Sequence, residues 1–249
     1  MINISSPVNP QVRLWKSLST SKGIRKEGLF ILSGEKLIRE MARSRTVEVV
    51  AELINPELEA ITQAPQCFML AKDLFNDVDE LGTHFNLLVC KTPEMEPWDS
   101  HAPPEGLEVF CPLGDPKNVG ALVRSAEAFG ASQVVLLEEC AHPFLPPAIK
   151  ASAGSSLKMT LKRGPSLRAL EGEFHALELD GASLTTFKWP QNARLLVGEE
   201  GPGLQALGPK AKIQKISIPT QGVESLNATV AASITLFHYH QQFAKPPLG

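Results

Sequence analysis

The sequence predicts an α/β fold in which a small α+β domain precedes a larger domain built on a parallel sheet. Three observations predict it. After residue 107 short apolar runs alternate with helical stretches, the pattern of strands joined by crossover helices. Before residue 91 short strands and helices follow each other without that regularity. Between them, residues 92–106 (TPEMEPWDSHAPPEG) carry four prolines, several acids and no period, which reads as a linker. The expected organisation is therefore a domain at 1–91, a linker at 92–106 and a domain at 107–249.

In the first domain, residues 8–18 and 35–43 have helical spacing, and 72–82 reads as a helix closed by Gly82. Residues 28–32, 47–53, 67–71 and 85–90 read as short strands. In the second domain strands are expected at 107–113, 133–137, 174–179, 194–198 and 214–218. Helices are expected at 118–129, near 146–153 and at about 224–243.

With 249 residues, 43% hydrophobic and 20% charged, the chain has the composition of a soluble globular protein. Its net charge of −3 hides an asymmetry. Residues 1–45 hold nine Lys/Arg against three Glu, whereas residues 46–100 hold two Lys against eleven Asp/Glu. A basic start of this kind attracts a polyanion or forms a solvated helix face, and Arg13, Lys16, Lys22, Arg25 and Lys26 are its candidate RNA contacts. Cys67, Cys90, Cys111 and Cys140 have no C-x-x-C spacing and read as reduced thiols of a cytoplasmic protein. No signal pattern and no apolar run of about 18 residues is present, so no membrane is expected. The six histidines lack ligand spacing, and no metal is expected.

Three stretches carry chemistry. In the first, Leu113–Gly130, a strand runs through a proline turn into a helix that Asn118 is expected to cap. Val119, Leu122, Val123, Ala126 and Phe129 form one apolar stripe, and Gly130 stops the helix. Arg124 lies about 140° round the wheel from Val119, facing away from the core. An outward arginine is either plain surface or a ligand contact. A helix N-terminus at the carboxyl end of a strand favours an anion such as RNA phosphate.

The second stretch, Leu195–Leu204 (LLVGEEGPGL), is a strand ending in a turn with three glycines and a proline, where a ligand can approach bare backbone. Glu199 and Glu200 are adjacent and would face opposite ways on a strand, which argues against a paired-carboxylate site. No G-x-G-x-x-G or G-x-x-x-x-G-K-[ST] pattern occurs, so a nucleotide-binding oxidoreductase is disfavoured. The third stretch, Ile216–Phe237, runs from strand through a loop into a helix. Leu226, Val230, Ser233 and Phe237 share an arc there, and Ser225 and Asn227 stand at the first turn, where polar residues often cap.

In this order and spacing the three stretches resemble the motifs of the SpoU (TrmH-type) branch of the SPOUT methyltransferases, over about residues 107–243. The resemblance implies an S-adenosylmethionine-dependent RNA ribose 2′-O-methyltransferase, a SPOUT-type sheet with a C-terminal deep trefoil knot, and a homodimer. It assigns Asn118 and Arg124 to motif one, Glu200 with Gly201 to motif two, and Ser225 and Asn227 to motif three. The cofactor would be held by Val197, Gly198, Glu199, Gly201, Ile218, Leu226 and Asn227. Gly28–Glu40 looks like the start of a ribosomal-protein-L30-like substrate-binding domain, with Ser33 where the usual pattern has Glu. That extension points to large-subunit ribosomal RNA as substrate, ahead of transfer RNA. A non-catalytic RNA-binding or ribosome-assembly factor of the same fold is the rival class.

A guanidinium is almost never deprotonated in a protein, so Arg124 is expected to orient an RNA phosphate and stabilise charge on the 2′-oxygen, with Ser225 or Asn227 holding the ribose.

Overall fold

The computed structural model describes residues 1–44, 46–198, 204–223 and 225–243. The chain forms two compact units, Met1–Glu94 with His142–Leu157 and Met95–Ala141 with Lys158–Gly249.

The first unit runs β1 (Ile2–Ile4), α1 (Pro10–Ser17), α2 (Ser21–Glu27), β2 (Leu29–Leu32), α3 (Glu35–Ser44), β3 (Val49–Ile54), β4 (Gln66–Leu70), α4 (Lys72–Val78) and β5 (Leu87–Lys91). Its mixed sheet has the order β1-β4-β3-β5-β2, with β5 antiparallel to both β2 and β3. The predicted strands and helices are present, and two further elements appear. Strand β1 is three residues long and buries only Ile4, too little for a period to register. Helix α2 is masked in sequence by Gly23, whose missing Cβ would lie 1.9 Å from the Ser17 carbonyl oxygen; only glycine lets α1 and α2 approach this closely. Helix α4 stops at Val78 rather than at Gly82, because the Asp79 carboxylate accepts from the Thr83 hydroxyl and the His84 backbone N–H and turns the chain there.

Trp15 meets Phe68 edge-on at 5.1 Å at the centre of this unit's core. Beside that core lies a buried carboxylate. Glu52 accepts from the backbone N–H groups of Ile61 and Thr62, the Thr62 hydroxyl and the Asn86 amide, so every donor in reach neutralises the cost of burying it.

The second unit begins with β6 (Leu107–Cys111), α5 (Pro116–Ala128) and β7 (Gln133–Leu136). The chain then returns to the first unit, where α6 (Pro146–Ser152) packs against β2 and Phe144 stacks on Phe30 at 5.2 Å. Residues 142–157, which follow β7 in sequence, thus bury their apolar side chains in the other core. Back in the second unit come β8 (Leu161–Arg163), β9 (Gly172–Ser183), β10 (Ala193–Leu196), β11 (Ala211–Ser217) and α7 (Ala228–Phe243). All pairs in the sheet β11-β9-β10-β6-β7-β8 are parallel. The order reverses beside β6, since β7 and β8 lie on one side of it and β10, β9 and β11 on the other.

The proline-rich stretch before β6 is fastened to this sheet. Pro97 bridges to Arg163, and the Trp98 backbone N–H donates to the Arg163 carbonyl at 2.8 Å. The Trp98 ring packs edge-on against Phe110 and lies under the Arg194 guanidinium at 5.0 Å. Arg194 in turn pairs with buried Glu108 at 3.1 Å.

His142 is buried beside Phe144. Burial first, and the nearby Arg25 charge second, push its pKa down from 6.5 to about 4. The unfolded chain therefore binds a proton that the folded one refuses as pH falls from 6.5 to about 4, and stability present above pH 6.5 is lost through that window. Urea unfolding midpoints should fall between pH 6.5 and 4, and His142→Phe should flatten the decline; an equal slope in the variant would remove His142 as its source.

Candidate active site

A parallel sheet binds ligands beyond the carboxyl ends of its strands, where the strand order reverses. This chain has a cavity of about 470 Å³ beyond the carboxyl ends of β10 and β11, within the roughly 300–1,000 Å³ of small-molecule sites. Three segments build it. The first is the end of β10, where Val197 and Gly198 follow the last paired residue. The second is Ile216 in β11 with Ile218 and Thr220 beyond it. The third runs from Ser225 to Ala228 at the start of α7.

A fourth wall escaped the sequence reading. The ladder between β11 and β9 jumps from Lys215 opposite Ala176 to Ile216 opposite Ala182, so residues 177–181 stand out from the pairing as a wide bulge. Leu177, Glu178 and Leu179 of that bulge line the cavity. Its sequence trace is Gly181, where a Cβ would fall 2.4 Å from the Ile216 nitrogen. Lys215 bonds Asp180 at 2.9 Å across the base of the bulge and holds that carboxyl below its ordinary range.

Of the residues expected to hold a cofactor, Val197, Gly198, Ile218, Leu226 and Asn227 all line this one cavity. Glu199, Glu200 and Gly201 lie outside the described residues. Ser225, expected among the reacting groups, also lines it. The walls are mostly aliphatic, and Ser225, Asn227 and Thr220 supply hydroxyl and amide groups, a lining suited to a nucleoside joined to a polar tail.

Asn227 has a structural duty as well. Its Oδ1 accepts from the backbone N–H groups of Thr229 at 3.0 Å and Val230 at 3.2 Å, which caps α7. Its Nδ2 has no hydrogen-bond partner among the described residues. Asn118, by contrast, is not the cap of α5. Asp115 is: its Oδ1 accepts from the Lys117 N–H at 2.7 Å and Pro116 occupies the first helical position, leaving Asn118 inside the first turn. Arg124 is exposed on α5, does not line the cavity, and has no carboxylate partner among the described residues. The stripe Val119, Leu122, Val123 and Ala126 is fully buried.

Helices α5 and α7 run side by side in the same direction. Asn118 meets Thr229, whose hydroxyl donates to its carbonyl at 3.3 Å; Ser125 and Ser233 share a 2.8 Å hydrogen bond; the Phe129 ring contacts Phe237 at 5.6 Å. The face of α7 that packs inward therefore carries Thr229, Ala232, Leu236 and Tyr239, whereas Val230 and Phe237 of the expected arc are 48% and 45% exposed. Small and hydroxyl-bearing side chains let the helices approach near their starts, while Phe129 and Phe237 meet further along.

Residues 109–237, the segment that holds this cavity and both helices, match the model of the SpoU rRNA Methylase family. The chain belongs to that family. Over 242 aligned residues it is 40% identical to the Ribosomal RNA small subunit methyltransferase G 2 of Syntrophobacter fumaroxidans, covering 94% of this chain and 48% of that one. The chain thus spans about half of that relative. It is 30% identical over 250 residues to the 23S rRNA (guanosine(2553)-2'-O)-methyltransferase RlmP of Bacillus subtilis, covering 96% of this chain and 99% of that one. A solved rRNA methyltransferase from Sinorhizobium meliloti with S-adenosylmethionine bound shares the fold, with a TM-score of 0.76, 20% identity and 98% of each chain covered. The parallel α/β sheet of the second unit is thus that of a SpoU methylase.

Asn227→Ala should act twice. Loss of the cap is expected to lower stability by about 1 kcal/mol, read from urea unfolding. Loss of the amide should also weaken S-adenosylmethionine binding in calorimetry, and unchanged affinity would leave Asn227 as a cap alone.

Proposed function

We propose that this chain is an S-adenosylmethionine-dependent ribose 2′-O-methyltransferase acting on large-subunit ribosomal RNA in the cytoplasm. The observation that carries the reading is the cavity beyond the carboxyl ends of β10 and β11, lined by Val197, Gly198, Ile218, Ser225, Leu226 and Asn227 in a SpoU family chain. The large-subunit substrate is favoured by the Bacillus subtilis relative, whose whole length this chain matches. The small-subunit name belongs to a protein of about twice this length.

S-adenosylmethionine brings a methyl group made electrophilic by the sulfonium, so the chain's work is alignment, charge stabilisation and exclusion of water. The aliphatic walls exclude water. Ser225 and the Nδ2 of Asn227 can hold polar atoms at the cavity mouth. Arg124, exposed and without a carboxylate partner among the described residues, is suited to a fork of hydrogen bonds with an RNA phosphate and to steadying negative charge on the attacking 2′-oxygen. Its proton is too tightly held for it to serve as a base. Glu200 and Gly201 are read with motif two as part of the same site.

The first unit is read as the substrate-binding part, an L30-like domain followed by a linker. On it, Lys16 and Lys26 are engaged by Asp77 and Glu27, whereas Arg13, Lys22 and Arg25 are exposed with no carboxylate partner among the described residues and are better placed for phosphate. The second unit is read as the methyltransferase part, with the trefoil knot its family fold implies. A homodimer would cover the outward face of α7, where Val230, Ile234 and Phe237 are 48%, 39% and 45% exposed at helical spacing.

Arg124→Ala should abolish transfer of labelled methyl groups to 23S ribosomal RNA while calorimetric binding of S-adenosylmethionine persists; full activity would sink the assignment. Phe237→Glu should turn a dimer into a monomer in sedimentation, and a dimer that survives it would place the interface elsewhere.

A further inference from the structure

Thr229 has been described only as a contact between α5 and α7, and its hydroxyl, unlike those of Ser233 and Thr235, bonds a carbonyl outside its own helix. A threonine within a helix ordinarily donates to the carbonyl three or four residues back. Thr235 does so, to Ala231 at 2.9 Å, and Ser233 does so, to Thr229 at 2.7 Å. Four residues before Thr229 stands Ser225, which precedes the helix, and the Thr229 hydroxyl reaches across to the Asn118 carbonyl instead. The residue is 5% exposed, so water does not compete for that bond.

The bond joins two places that matter. Ala228, next in the chain to Thr229, and Asn227 line the cavity. Asn118 lies in the first turn of α5, the helix that carries Arg124 further along. Among the rungs between these helices, Ser125 with Ser233 and Phe129 with Phe237 lie further from the cavity end of α7; Thr229 is the contact beside it.

We propose that Thr229 is a positioning residue for methyl transfer, its hydroxyl holding the first turn of α5 in register with the start of α7 so that Arg124 keeps a fixed place relative to the cavity. This rests on the methyltransferase reading above. A displacement of about 1 Å at a reacting centre costs on the order of a hundredfold in rate, so one well-placed hydrogen bond can matter more for turnover than for stability.

The test compares wild type with Thr229→Val, which keeps the shape and removes the hydroxyl, and Thr229→Ser, which keeps the hydroxyl. In Thr229→Val the single-turnover rate on saturating RNA should fall at least about tenfold, the loss of a positioning contact. The dissociation constant for S-adenosylmethionine in calorimetry should stay within about twofold, because the chain's contacts to it are untouched. Thr229→Ser should recover most of the rate. In cofactor-free protein, amide exchange at Leu122, whose N–H follows the Asn118 carbonyl in the helix ladder, should quicken about fivefold in the valine variant, the worth of one ordinary hydrogen bond. An unchanged rate in Thr229→Val, a rate loss matched by lost cofactor binding, or unchanged exchange at Leu122 would each overturn the proposal. Wild type that transfers no methyl group would instead overturn the methyltransferase reading, and the exchange measurement would still decide whether the bond holds α5.

Discussion

Close packing of α5 against α7 is the constraint on which the second unit's site depends. Both helices start at the carboxyl edge of the parallel sheet, one after β6 and one after β11, and those strands lie three strands apart in the sheet. Only direct contact between the helices brings residues 118–124 into a fixed relation with residues 225–228. The contact is possible because Thr229, Ala232 and Ser233 are small, and it is directional because hydroxyls pair across it. Apolar packing alone would tolerate sliding; a hydroxyl aimed at one carbonyl does not.

The same packing decides what the outside of the chain offers. With Thr229, Ala232, Leu236 and Tyr239 turned inward, Val230, Ile234 and Phe237 stand exposed on α7 while the stripe of α5 is buried. On the far side of the cavity the bulge of β9 does comparable work. By displacing residues 177–181 from the ladder with β11 it turns part of an inner strand into a cavity wall, and Gly181 is the residue that permits the displacement.

The first unit is organised by different means. Its strands are short and its sheet is mixed, and much of its loop structure is held by buried polar groups such as Glu52 and Asp79. Such groups fix loops only when each lone pair has a donor, and here the donors are backbone amides of the very loops being fixed. The excursion of residues 142–157 into this unit follows from the aromatic pair Phe30 and Phe144, a contact between residues far apart in the chain.

What the sequence determined by itself was everything that rests on period, punctuation and local chemistry. The alternation of strands and helices after residue 107 announced the parallel sheet, and the order and spacing of three short stretches announced the family. The family resemblance pointed to Val197, Gly198, Ile218, Leu226 and Asn227, and the structure brings these positions to one cavity. What only the tertiary structure decided were the features that depend on which distant residue lies opposite. Asp115 and Pro116 outrank Asn118 as the start of α5 because the true boundary is set by backbone geometry that two plausible caps leave open. The inward face of α7 is chosen by its partner helix: of the arc Leu226, Val230, Ser233 and Phe237, Ser233 and Phe237 meet α5 while Val230 stands exposed. The bulge beside the cavity and the hydroxyl of Thr229 are pairings across long stretches of chain, and a sequence read along its own length carries no register between residues 118 and 229.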